Sequence, residues 1–579
     1  MFQNYLKIAL RNLTKFKGYA AINIIGLAVG VAVCLLITLY VQGELRYDQH
    51  HADLDQLYRV NTSWVIDGNA TKRPGSSSPV AKQIVEDFAE VEAATRMYKV
   101  PNAEEFVVKY QDQFAIEKRA AFVDSNFFEL LTYDLIDGDP TTVLDQPSSI
   151  VLSKTMAQQL FRNENPVGKT LQLNCIFGES PYQVTGIFNE ETYPSHLQAG
   201  FYAASRGGII GQHYYEINEW AGMNIYYTFV KLAPNANAAD LDAKFPAWLD
   251  KYAGAQLAEV GIEKGHFLQA VSDIYLDPEV PSRWFGQKGS RNSIYMLSVI
   301  AAFILLIACI NFMNLATAKA TVRGREVGVR KVLGADRKSL MAQFFSEAMV
   351  YATIAVALAG IIIWLALPYF NQLIINELNF DLLQLLPLAV VFIIAITLAA
   401  GSYPALYLSS FQPVKIFRNN FSNQLSGQQI RRGLVVLQFL IGVALIQGVL
   451  IINEQMNFIQ NKALGFNPTA KVVIPLQSAP AQDNYDNLRQ TLLQNPNVNA
   501  AGGTSNYPGK DNPNTYFYFK EGQTRDQGFM CLNSSVTPEY VEMMGFELLA
   551  GRFIDRQRMA YDTAHAAVIT KAAMEGIGY

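Results

Sequence analysis

Residues 293–338 read SIYMLSVIAAFILLIACINFMNLATA (Ser293–Ala318) and then KATVRGREVGVRKVLGADRK (Lys319–Lys338). The first block carries no charge and is long enough to cross about 30 Å of hydrocarbon, for which roughly 20 apolar residues suffice. The second block sets Lys319, Arg323, Arg325, Arg330, Lys331, Arg337 and Lys338 against only Glu326 and Asp336. A membrane span followed by a basic loop decides the fold class: an α-helical membrane protein.

Four further stretches have the same character, so the spans are expected at 20–42, 292–318, 348–367, 385–408 and 434–453. The first is read as a retained helix, because its apolar core is too long for a cleaved signal and no small-x-small site precedes Gln42-Gly43-Glu44. Lys7, Arg11, Lys15 and Lys17 precede it. The 409–433 linker has Lys415, Arg418, Arg431 and Arg432 and no acid, whereas the 368–384 loop has Glu377 and Asp381 and no base. Basic loops stay in the cytoplasm. The expected topology is therefore five transmembrane helices with a cytoplasmic N-terminus, in a bacterial cytoplasmic membrane. Residues 1–19 form a cytoplasmic amphipathic lead-in, 319–347 a cytoplasmic loop, and 43–291 and 454–579 lie outside.

Composition narrows the function. Hydrophobic residues make up 50% and charged residues 17% of the 579, and the net charge is -4, which with no basic patch interleaved with aromatics gives no reason to expect nucleic acid. Cys34, Cys175, Cys309 and Cys531 form no C-x-x-C and no disulfide framework. No acidic or basic side chain falls mid-span, which argues against an ion-coupled carrier. Asn311 and Asn314 read as helix–helix hydrogen bonds. Gly26 and Gly30 form a GxxxG, and with Pro404 they are expected where helices pack.

In the 43–291 region, Leu57–Ile66 reads as a strand with a turn at Asp67-Gly68. Ser78-Pro79 reads as the N-cap and first residue of a helix. Further strands are expected at Phe106–Tyr110, Ser149–Leu152, Thr170–Leu173 and Gln183–Ile187, with a short helix at Thr155–Phe161. The mixture lacks a βαβ rhythm and suggests an α+β domain. Pro166-Val-Gly-Lys-Thr170 lacks the first glycine of a phosphate loop, Asn163 standing there, and reads as a turn into a strand. His50-His51 reads as a solvated pair, and His196, His213, His266 and His565 as isolated. Neither a catalytic nor a metal site is expected.

The chain also repeats itself. Asn126–Gly138 (NFFELLTYDLIDG) aligns without gaps on Glu539–Gly551 (EYVEMMGFELLAG), and Ile150–Lys154 corresponds to Ala567–Lys571. The fifth span and the residues after it would then be a partial second copy, and the chain is expected to be truncated relative to an eight-span parent.

The 319–347 loop admits two readings: charge decoration, or a rigid knob offered to a partner. Glu326 and Arg330 form an i,i+4 pair, Gly334 is a stop, and Asp336 caps the helix that leads into the third span. The run Arg325–Ala335 (REVGVRKVLGA) resembles the loop motif of the FtsX-like permease domain of MacB-type ABC transporters. Phe345-Ser-Glu-Ala348, Gly401-Ser-Tyr-Pro-Ala405 and Gln412-Pro-Val-Lys415 extend that likeness. Residues 126–195, with Val151-Leu-Ser153, Asn165-Pro-Val-Gly-Lys169 and Val184-Thr-Gly186, resemble the MacB-type periplasmic core domain.

This resemblance implies a permease without ATPase motifs and without a bound cofactor, ATP being hydrolysed on a separate cytoplasmic ABC ATPase subunit. Arg325, Glu326, Gly328, Arg330, Lys331, Gly334 and Ala335 would form the coupling loop, and motion would pass through the spans by mechanotransmission to the outer domain. Efflux, lipoprotein extraction and cell-wall hydrolase control are the outputs such families serve. Membrane lipid, a second permease chain or a periplasmic adaptor are further partners. The alternative is a membrane-anchored extracytoplasmic sensor, which needs an inner output domain that a loop of this size does not supply.

Overall fold

A computed structural model describes every residue except 1, 67–68, 101–102, 104, 163, 261–262, 282–287, 319–326, 375–377, 379–381, 410–424, 477, 511–514 and 524–527. Two units emerge: Met1–Arg46 with Arg291–Lys462, and Tyr47–Ser290 with Ala463–Tyr579.

The first unit is helical. After a short helix at Phe2–Lys15, five helices among the described residues are long and apolar enough to cross a membrane: Lys17–Leu45, Arg291–Ala318, Arg337–Asn371, Leu382–Ser409 and Leu425–Asn461. They coincide with the five stretches read from the sequence, and each runs beyond its apolar core. The third begins eleven residues earlier than the 348 boundary, so the helix expected after the Asp336 cap occupies residues 337–347 and is continuous with the span. The reason is local: the Asp336 carboxylate accepts the backbone N–H of Ser339 at 3.0 Å, and this first part buries Leu340, Gln343, Phe344 and Glu347. The first four spans share one core, in which Ala28, Val31 and Ala32 meet Ala308 and Phe312, then Ala352, Ala355 and Ala359, then Ile396 and Ala400. Small residues predominate because helices in lipid gain stability from close van der Waals contact.

In the second unit, Leu57–Ile66 (β1), Asn69–Arg73 (β2), Val91–Tyr98 (β3), Phe106–Tyr110 (β4) and Gln113–Glu117 (β5) come first. Next are Ala120–Val123 (β6), Leu135–Asp137 (β7), Ser149–Ser153 (β8), Thr170–Cys175 (β9) and Gly178–Phe188 (β10). Phe201–Ala204 (β11), Tyr226–Leu232 (β12) and Glu263–Ala270 (β13) complete one sheet, ordered β13-β1-β12-β3-β6-β11-β8-β10-β9-β4-β5, with β2 on β1 and β7 on β10. Pairs β6–β11 and β8–β10 are parallel, and the other pairings along this path are antiparallel.

Alternate residues of the central strands feed two separate cores. Phe122, Ile150, Leu152 and Phe201 enter one, with Leu160, Phe161 and Tyr182. Val123, Val151 and Tyr202 enter the other, with Phe127, Phe128 and Phe188. Burial on both faces is why these strands read as unbroken apolar runs. Helix Lys154–Phe161 is capped twice. Ser153 Oγ accepts the N–H of Met156 at 3.2 Å. The Glu190 carboxylate accepts those of Lys154 and Thr155 at 3.0 Å each.

One helix start differs from the reading of Ser78-Pro79. The helix runs Val80–Asp87 with Pro79 at the N-cap. Ser78 Oγ is engaged elsewhere, accepting Arg96 Nη1 at 2.7 Å, and that guanidinium also pairs with Asp124 at 2.8 Å. The Pro166–Lys169 turn leads into β9 as read, with Gly168 at φ +87. The turn expected at Asp67-Gly68 lies outside the described residues.

The two repeated segments share local geometry. Gly138 and Gly551 have φ of +106 and +82, where glycine alone is unstrained. Ser153 caps its helix, and Thr570 Oγ likewise accepts the N–H of Ala573 at 3.2 Å to cap Lys571–Ile577.

Candidate functional site

Residues 327–332, between the second and third spans, are helical. The turn closes with the N–H of Leu333 on the Val329 carbonyl at 3.1 Å and that of Ala335 on the Arg330 carbonyl at 2.9 Å. Gly334 takes φ +95, which makes it the stop the sequence suggested. Val327 and Gly328 are buried, Val327 in a small core with Leu340, Phe344 and Ala405 and with Ala335 beside it.

The two basic residues singled out by the motif bond within the chain. Arg330 Nη1 donates to Gln343 Oε1 on the third span. Lys331 Nζ donates to the Ser409 carbonyl at the end of the fourth span, at 2.6 Å. Burial, and then the charge of Arg337, hold the Lys331 ammonium below its usual pKa. With both bases engaged, three apolar side chains project, Val329, Val332 and Leu333 at 49%, 67% and 81% exposure, beside exposed Asp336, Arg337 and Lys338. Sequence reasoning missed this tip, because charge rather than exposure carried the signal. Arg325 and Glu326, including the Glu326–Arg330 pair, lie outside the described residues.

Of the helix-packing candidates, Gly26 and Gly30 lie where the first span meets the second. A Cβ on Gly30 would come within 2.9 Å of Ala308 Cβ, and one on Gly26 within 3.4 Å of Asn311 Nδ2. Pro404 is buried inside the fourth span next to Ala405. Gly401, part of the same motif, allows Ala348 and Phe345 within 3.0 and 3.1 Å of where its Cβ would be.

A polar cluster in the second unit contradicts two expectations about histidine. His51 is buried and His50 half-buried, its ring stacked on Tyr193 at 4.5 Å, so this is no solvated pair. Nor is His196 isolated: its Nδ1 is 2.7 Å from Asp48 Oδ2, both residues being buried. Asp48 Oδ1 accepts from Ser195 Oγ at 2.7 Å and the His196 N–H at 3.1 Å. Burial pushes the Asp48 carboxyl up, but the His196 charge and these hydrogen bonds together hold it below the usual range. His51 Nδ1 accepts the Thr132 N–H at 3.1 Å. Its pKa falls to about 3, chiefly by burial and then by His50. Among the described residues no group of three or more His, Cys, Asp or Glu is arranged to hold a metal ion.

Among the described residues, five apolar helices, an α+β domain between the first two, and a clamped knob between the second and third define a helical membrane protein with a large inserted domain. Residues 20–247 match the MacB-like periplasmic core domain and residues 298–413 the FtsX-like permease C-terminal domain. The chain belongs to the MacB/FtsX-like permeases. It is 21% identical over 430 residues to the uncharacterized ABC transporter permease YvrN of Bacillus subtilis, covering 72% of this chain and 99% of that one. It is 24% identical over 402 residues to the macrolide export ATP-binding/permease protein MacB of Rhodopirellula baltica, covering 61% of this chain and 53% of that one. The chain thus spans nearly all of the first relative and about half the length of the second. Among solved structures, the periplasmic region of MacB from Actinobacillus actinomycetemcomitans is similar at 16% identity and TM-score 0.25, over 37% of this chain and 89% of that one.

Proposed function

We propose that this chain is the permease subunit of an ABC transporter working by mechanotransmission, with its N-terminus in the cytoplasm of a bacterial inner membrane. A separate ATPase docks on the 327–338 knob, and its ATP-driven movement is passed through the spans to the outer domain. The observation that carries the reading is the build of the knob. Arg330 and Lys331 fasten it to the third and fourth spans, while Val329, Val332 and Leu333 project from it. A lever needs both a fixed root and a free contact surface. Coupling of this kind is a free energy shared between two sites. The charge distribution of the loops supports the orientation. The paired caps and turn glycines of the two repeated segments support a partial second copy after the fifth span. Substrate class is left among efflux, lipoprotein extraction and hydrolase control.

The test is co-purification of the full chain with its ATPase from detergent-solubilised membranes. The double variant Val332→Glu with Leu333→Glu is expected to lose the ATPase, because charge on an apolar contact must be desolvated on docking. ATPase retained in full by that variant would overturn the docking surface. Failure of any ATPase to accompany the wild-type chain would overturn the permease-subunit reading itself.

A further inference from the structure

Helix Phe2–Lys15 precedes the first span, with only Phe16 between the two helices. One side of it is taken up by protein. It packs on the third span, Arg337–Asn371, Ala9 is buried, and Leu13 rests half-buried on the core that the spans share. On the other side Lys7, Leu10, Arg11, Thr14 and Lys15 are exposed. Their spacing of three and four residues makes one face. Along it Lys7, Arg11 and Lys15 follow one another about 6 Å apart.

This row of cations has no counter-charge of its own. The first acid in the sequence is Glu44, and among the described residues no carboxylate pairs with any of the three bases. Lys15 Nζ lies over the Phe16 ring at 5.6 Å. Like charges at i and i+4 destabilise a helix, and Lys7–Arg11 and Arg11–Lys15 are two such pairs. Keeping a segment in the cytoplasm requires bases near the span and no alignment among them. Alignment is what a row of bound anions requires.

We propose that this face binds anionic phospholipid of the inner leaflet, one phosphate between Lys7 and Arg11 and another between Arg11 and Lys15. Leu10 turns to the acyl chains. The planar guanidinium of Arg11 offers donors to both phosphates. The helix ends one residue short of the first span, which puts the row at headgroup depth. There each base gains about fivefold in affinity from the negative potential of the leaflet. This inference rests on the cytoplasmic N-terminus proposed above and not on the docking of an ATPase, so the two readings fail in different experiments.

The experiment measures the lipid that stays with the full-length chain after mild detergent extraction and washing. Phosphatidylglycerol is expected to be enriched severalfold over its share of the membrane. Lys7→Gln with Arg11→Gln should bring that ratio back to the membrane value, and Lys7→Arg with Arg11→Lys should preserve the enrichment. Arg431→Gln with Arg432→Gln removes as many exposed charges from the fifth-span helix and is expected to leave the enrichment intact. A second measurement needs no substitution. In the reconstituted wild-type chain, amide exchange of residues 7–15 is expected to slow when phosphatidylglycerol is added to phosphatidylcholine vesicles. The protection should vanish in about 1 M salt, where charges are screened beyond ~3 Å. Equal loss of enrichment in the two glutamine variants would assign it to net cytoplasmic charge and overturn the proposal. So would exchange that ignores the added lipid, or the same protection from inorganic phosphate in phosphatidylcholine alone.

Discussion

Lys331 Nζ stands 2.6 Å from the carbonyl oxygen of Ser409, a residue 78 positions further along the chain. Ser409 ends the fourth span, and a helix leaves its last carbonyls without intrahelical partners at the negative end of its dipole. An ammonium there satisfies an acceptor and neutralises that end together. The knob is thereby fastened to a second helix besides the one it leads into.

Lys331→Met keeps most of the side-chain volume and removes the donor. Hydrogen bonds to charged groups contribute about 1.5–3 kcal/mol, so residues 327–336 are expected to exchange amide hydrogens roughly tenfold or more faster. Lys331→Arg should restore much of the protection. Unchanged exchange in Lys331→Met would remove the fastening role.

Asp48 is a buried carboxylate held by Ser195 and His196. Removing one partner of a buried pair costs about 3–5 kcal/mol, because the other is left uncompensated. Asp48→Ala is expected to lower the unfolding free energy of the Tyr47–Ser290 domain by that order, and with it the denaturant midpoint, read in the full chain by limited proteolysis against denaturant. A domain as resistant as wild type would refute the anchoring role.

Acid should weaken the same region in two steps. His51 has a folded pKa near 3, well below the ~6.5 of an unfolded histidine. The unfolded state therefore binds its proton first, and stability falls as pH drops from about 6.5 toward 3. His266, also buried and lowered to about 3, acts in the same direction. The depressed Asp48 carboxyl acts lower still: its contribution is present above the unfolded carboxylate pKa and disappears as pH falls through the folded one. His51→Gln keeps an acceptor for the Thr132 N–H and cannot titrate, so it should flatten the upper part of the stability–pH curve. An unaltered slope between pH 6.5 and 4 would assign that slope to other groups.

What was legible in the sequence is what local pattern encodes. Spans are long and uncharged, β1 and β4 begin and end as read, and Asp336 and Gly334 punctuate the knob as their chemistry requires. The strands Ala120–Val123 and Phe201–Ala204 were missed because four apolar residues buried on both faces have no period to detect. The Asp48–His196 pair was invisible for a different reason: 148 positions separate the two residues, and nothing local marks either one. Arg330 and Lys331 were found, but the bonds that turn them inward are tertiary, so the motif alone could not assign them to the root of the knob rather than its tip.

Glycine in the spans offers a paired test of the packing. At Gly30 an added Cβ would sit 2.9 Å from Ala308 Cβ and 3.8 Å from the Ile304 carbonyl, so the first and second spans must move apart. Overpacking of this kind costs about 1–3 kcal/mol. At Gly360, in the third span, nothing lies within 4 Å of the new atom. There the substitution only restricts the unfolded backbone and improves helix propensity, a gain of roughly 0.5–1 kcal/mol. Gly30→Ala is therefore expected to lower, and Gly360→Ala to hold or raise, the temperature at which the detergent-solubilised protein loses its folded fluorescence. The chemical change is identical, so opposite shifts isolate the contact with Ala308. Equal shifts would mean that the first and second spans do not approach closely through Gly30.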